Sequence, residues 1–117
     1  MRVLIAFEDE YRSYRDAIAS AISVHRPRVE VAAAGVVALK DEMVRFDPHL
    51  VVCSRPNAVD PNGRPAWFEL PPDPGHPAEI CLDGQHSEVT NPALEKLLSV
   101  VDETERLINT KPDLGNC

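Results

Sequence analysis

The stretch FDPHLVVCSRPN, residues 46–57, decides how this chain folds. Asp47-Pro48 ends the segment before it, because a residue that precedes proline is pushed out of the helical region. Leu50-Val51-Val52-Cys53 is then a short apolar run with polar neighbours, the pattern of a buried strand. It ends on a thiol and a hydroxyl, Cys53 and Ser54, with no carboxylate.

Reading outward, RVLIAF (2–7) is a second buried strand, bounded by charge. Tyr11, Tyr14, Ile18, Ala21 and Ile22 recur at helical spacing, with Glu8, Asp9 and Glu10 at the start, where a helix dipole favours negative charge. Pro27 stops that helix. RVEVAAA (28–34) reads as a strand, Gly35 as a turn, and Val36, Leu39, Met43 and Phe46 as one face of a short helix. Strand, helix, strand, helix, strand implies parallel strands joined by crossover helices.

After Cys53 the texture changes. Residues 56–77 hold seven of the eleven prolines, and Pro61-Asn62-Gly63 is a turn signal. AWFEL (66–70) and AEICL (78–82) read as strands separated by the rigid loop PPDPGHP (71–77). Seven residues are too few for a helical crossover. These strands are therefore antiparallel, or one is an edge segment reached by an extended linker. TNPALEKLLSVVDETERLI is the clearest helix, with Asn91 as cap, Pro92 in the first turn, and Leu94, Leu97, Leu98, Val101 and Ile108 on one face. The reading is one domain, residues 1–110, and a flexible tail, 111–117.

Composition bounds the function. The net charge is −7, with nine acids and eight bases in residues 1–60 but ten acids and four bases in 61–117. That balance argues against nucleic acid or an anionic membrane as partner, since both need clustered Lys and Arg. No apolar run approaches the ~20 residues of a membrane helix, and MRVLIAF lacks a signal-peptide pattern. Cys53, Cys81 and Cys117 form no C-x-x-C pair, and the odd count points to reduced thiols and a cytoplasmic protein.

Residues 1–56 resemble a response-regulator receiver domain, a flavodoxin-like family. RVLIAFEDEYRSYRDAI is similar to its apolar first strand, acidic pair and first helix, and FDPHLVVCSRP to its third strand with a proline soon after. The resemblance implies an α/β three-layer sandwich with a mostly parallel sheet of order 2-1-3-4-5, the fourth helix here replaced by the proline-rich loop. It implies Mg²⁺ ligation by Glu8 and Asp9, and it places the phospho-accepting Asp on Ser54, which cannot form an acyl phosphate. The family's switch Ser/Thr and its lysine have no counterpart after AWFEL or in CLDG.

The expectation is thus a degenerate receiver: a non-enzymatic regulatory domain that works by protein contact and needs no cofactor beyond a candidate Mg²⁺. It would dimerise through the last helix and the region of strands four and five, with Trp67, Leu98 and Val101 as interface residues. One rival is a phospho-accepting receiver using Asp47 or Asp60. Another is a ligand-binding protein or enzyme with Glu8, Asp9, Ser54 and Arg55 around a crevice at the strand ends. Cys53 has no base at motif spacing, and Ser54 lacks a G-x-S-x-G elbow. His76, Cys81, Asp83 and His86 lack the paired short spacings of a zinc site.

Overall fold

A computed structural model describes residues 1–60, 63–73 and 75–117. Pro61 and Asn62 of the expected turn, and Pro74 of the expected loop, lie outside the described residues. The strands are β1 (Arg2–Phe7), β2 (Glu30–Gly35), β3 (Leu50–Cys53), β4 (Ala66–Glu69), β5 (Ala78–Leu82) and β6 (Gln85–Val89). The helices are α1 (Arg12–His25), α2 (Leu39–Arg45) and α3 (Leu94–Thr110). They build one six-stranded sheet in the order β2-β1-β3-β4-β5-β6.

This corrects the expected mostly parallel 2-1-3-4-5 receiver sandwich. β2, β1, β3 and β4 are parallel, but β4–β5 and β5–β6 are antiparallel, so the sheet is mixed. The physical reason is the short proline-rich link between β4 and β5, which lets the chain only double back. A sixth strand then follows through the tight turn Asp83-Gly84, with φ of +55° and +78°. Positive φ at both central positions is the mirror-image turn that matches strand twist, and Asp-Gly is its preferred pair. β6 forms the sheet edge beyond β5.

Smaller details differ too. Glu8–Glu10 do not open α1: Asp9–Tyr11 form a single 3₁₀ turn, and α1 begins at Arg12. Asn91 does not cap α3. It sits at φ +46°, and Ala93 precedes the helix with no side-chain cap. The buried face of α3 is Leu97, Leu98, Val100, Val101, Thr104 and Leu107, whereas Leu94 is exposed. Thr104 satisfies its hydroxyl by donating to the Val100 carbonyl at 2.7 Å.

Each sheet face has its own core. On one face Val3, Ile5, Phe7, Val52 and Phe68 pack under Ile18 and Ile22 of α1 and Leu97, Val100 and Val101 of α3. On the other, Leu4, Ala6, Val51, Cys53, Trp67 and Cys81 meet Leu39 and Met43 of the short α2, with Val36 and Phe46 at its flanks. Trp67 and Phe68 point to opposite faces, as adjacent strand residues must, and both are buried, at 4% and 0% exposure.

No helix crosses from β3 to its parallel neighbour β4 among the described residues. Irregular chain covers that face instead, with Val59 and Cys117 packed against the second core. Its shape is held by Arg64, whose side chain is only 16% exposed. Arg64 donates to Asp60 Oδ2 at 2.7 Å, to the Met43 carbonyl at 3.1 Å, and to Asp47. Asn57 accepts the Asp60 N–H at 3.0 Å and donates to the Cys117 carbonyl at 2.6 Å.

The tail, read as flexible, is fastened to this cover. Cys81 and Cys117 form a disulfide across 36 residues, in place of the expected reduced thiols. The spacing of cysteines in the sequence carries no sign of it, because the pairing is made by β5 and the returning tail. By loop entropy such a link contributes about 3–4 kcal/mol.

Arg64→Met should remove four hydrogen bonds among the described residues, two of them to carboxylates and two to carbonyls, while keeping the aliphatic stem. We expect a loss of about 2–4 kcal/mol, read from urea unfolding followed by circular dichroism. A loss below about 0.5 kcal/mol, the range of ordinary surface substitutions, would show that the cover holds without it.

Candidate functional site

The parallel strands β1 and β3 end side by side, and the residues just beyond them meet. Ser54 donates its hydroxyl to Glu8 Oε1 at 2.8 Å. Arg55 Nε donates to the same oxygen at 3.2 Å. Register explains the meeting: Ala6 pairs with Cys53, so two residues further on Glu8 arrives level with Arg55 and one step beyond Ser54. The Ser54 N–H continues the ladder to the Ala6 carbonyl at 3.3 Å.

Arg55 is held from several sides. Its N–H donates to Cys53 Sγ at 3.4 Å, and its carbonyl accepts the Trp67 indole N–H at 2.8 Å. Burial alone would push the Glu8 carboxyl up. The Ser54 hydroxyl, Glu8's own backbone N–H and the Arg55 guanidinium together outweigh burial and hold it below its usual range. Glu8 is therefore an engaged carboxylate and a weak base. Its second oxygen, Oε2, is buried and has no hydrogen-bond partner among the described residues.

Asp9 does not join Glu8. Its side chain is 92% exposed and faces Arg15 at 3.8 Å. The acidic pair expected to hold Mg²⁺ therefore diverges, and among the described residues no group of three or more His, Cys, Asp or Glu is arranged to hold a metal ion. Asp47 and Asp60, the rival phospho-acceptors, both lie on Arg64, away from Glu8. His76 pairs with Asp73 at 3.0 Å, Cys81 is in the disulfide, and Asp83 takes Lys111 and the Gly115 N–H, so these do not converge either. Cys53 is fully buried, and burial first of all pushes its thiol up, which makes it an inert core residue.

The three expected interface residues contribute to the core. Trp67, Leu98 and Val101 are 4%, 9% and 1% exposed. What the sequence pattern missed is a groove between α1 and the start of α3. It is a cavity of about 270 Å³ lined by Tyr14, Ala17, Ala21, Phe68, Leu94 and Leu97 among others. Tyr14 and Leu94 are 42% and 40% exposed at its mouth, and Tyr11 lies nearby in sequence at 37%. Tyr14 stands edge-on to Phe7, ring centroids 5.3 Å apart, which fixes that wall. The tyrosines and Leu94 were all named as helix-face residues. Only burial distinguishes a face that is covered from one that is left open.

Fold and site define an α/β domain with a mixed sheet, whose strand-end carboxylate is engaged by its own serine and arginine. Comparison with protein-family models, with curated proteins and with solved structures finds no significant match to this chain. No helix among the described residues is long and apolar enough to cross a membrane.

Ser54→Ala should cost about 1.5–3 kcal/mol near neutral pH, the value of a hydrogen bond to a charged group. Because Glu8's carboxyl is held down in the folded state, its stabilisation is complete above the ordinary carboxylate range and fades as pH falls through the folded value. The acid limb of stability should therefore flatten in Glu8→Gln. Urea titrations at about pH 7 and about pH 3.5 read both effects. An unchanged acid limb in Glu8→Gln would mean that this pairing contributes nothing.

Proposed function

We propose that this domain is a non-enzymatic interaction module that pairs with a second copy of itself through the groove between α1 and α3. The observation that carries this reading is the grouping of exposed apolar side chains. Of the six large hydrophobic residues left exposed among the described residues, Tyr14 of α1 and Leu94 of α3 face each other across one concave apolar groove that both line. An apolar hollow rimmed by projecting tyrosine and leucine is suited to a two-fold contact, in which each copy inserts into the other. This relocates the dimer contact from the middle of the last helix to its beginning, where Leu94 and the facing Tyr14 of α1 are exposed.

A regulatory role without phosphate chemistry fits the strand end. Ser54 occupies the acceptor position suggested by the receiver-like first half, and Glu8 already neutralises Arg55. Kinship with receivers rests on residues 1–56 alone, and the cytoplasmic setting expected from unpaired cysteines loses that support once Cys81 and Cys117 pair.

Sedimentation equilibrium should reveal a dimer, and Tyr14→Asp or Leu94→Asp should weaken it by at least about tenfold, or about 1.4 kcal/mol. A chain that stays monomeric up to about 1 mM, near −4 kcal/mol of association, would overturn the dimer. Incubation with acetyl phosphate and Mg²⁺ should leave no covalent phosphate. A phosphate lost in Asp47→Asn or Asp60→Asn would install the phospho-accepting reading instead.

A further inference from the structure

We infer that the Cys81–Cys117 disulfide is a reversible clasp, whose reduction lifts the C-terminal segment off the β4–β5 face and uncovers Trp67. Three observations support it. First, the segment is held mainly by this one bond. None of residues 111–117 is fully buried. Apart from the disulfide and the apolar contact that Cys117 itself makes with the second core, its described hold is polar: Asp83 with Lys111 and the Gly115 N–H, the Cys117 N–H on the Arg64 carbonyl at 2.9 Å, and Asn57 on the Cys117 carbonyl. Exposed and part-buried hydrogen bonds of this kind barely offset the entropy of ordering a terminal segment.

Second, the bond is reachable. Cys81 and Cys117 line an open cavity of about 170 Å³, together with Pro56, Asn57, Trp67 and His86. Small thiols fit such a space. Third, the path of the segment is defined closely enough to make two states distinct. A side chain at position 115 would collide with the Asp83 carbonyl, so only glycine lets the segment lie this close to the β5–β6 turn.

The step balances with a small dithiol as reductant. One of its thiolates attacks the Cys117 sulfur, forming a mixed disulfide and expelling the Cys81 thiolate. Its second thiol then attacks the reductant's own sulfur in that mixed disulfide and releases the Cys117 thiolate. The reductant closes into its cyclic disulfide, and its two protons end on Cys81 and Cys117. Cys53 takes no part, being buried with its thiol pushed up. The clasp lies on the sheet face opposite the α1–α3 groove, so it stands or falls independently of the proposed dimer.

The test treats the folded chain with dithiothreitol and follows alkylation, amide exchange and Trp67 emission, the only tryptophan. Cys81 and Cys117 should become alkylated while Cys53 stays protected. Exchange in residues 112–117 should speed by at least about tenfold with β1 and β3 unchanged, and the indole emission should shift to the red. Cys117→Ser should show the same exchange and emission without reductant. Global unfolding on reduction, with Cys53 alkylated as fast as the others, would make the bond a structural staple and overturn the clasp. So would a segment that stays protected in both the reduced chain and Cys117→Ser.

Discussion

The structure depends on a parallel β3–β4 pair whose crossover, residues 54–65, contains no helix among the described residues. A parallel pair normally gains a helix with its crossover, and that helix covers one face of the sheet. Here the chain must cover Trp67 and Cys81 by other means. Arg64 draws Asp60, Asp47 and the end of α2 together beneath the crossover, and the C-terminal residues complete the cover. The side chains that hold this cover are polar and specific, whereas α1 and α3 cover the other face by apolar packing.

The strand end follows from the same arrangement. Arg55 begins the irregular crossover and is pinned by Trp67 through its carbonyl, which aims its guanidinium at Glu8. A carboxylate whose Oε1 is served by a hydroxyl and a guanidinium is held below its usual range and is a weak base. The tip of β1, which in many α/β sheets lies beside a ligand crevice, is here used to tie two loops together.

The sequence made the first half legible because its signals are local. RVLIAF, the α1 stripe of Ile18 and Ile22, and LVVC all fall on strands or helices where periodicity puts them. The mixed second half was only half legible. The short proline link leaves an antiparallel β4–β5 pair as one open choice, and the Asp83-Gly84 pair in CLDG is a local hairpin signal whose partner strand the sequence does not mark. β6 itself, QHSEV, is polar and exposed, so hydrophobic pattern says nothing of it. The disulfide, the Arg64 hub and the α1–α3 groove join residues far apart in the chain, and no single-sequence pattern reports such contacts. The burial of Trp67, Leu98 and Val101 was hidden for a related reason: an apolar helix face reads the same whether its own sheet or another molecule covers it.

The two rims of the sheet are guarded unequally. β6 presents Gln85, His86, Ser87 and Glu88, all exposed and polar, which discourages another backbone from adding on. β2 at the opposite rim carries Val31 and three alanines, with Glu30 alone as an acidic guard. Any templated growth of this sheet into a cross-strand stack would accordingly start on the β2 side, where small side chains leave the outer row of amides and carbonyls least obstructed.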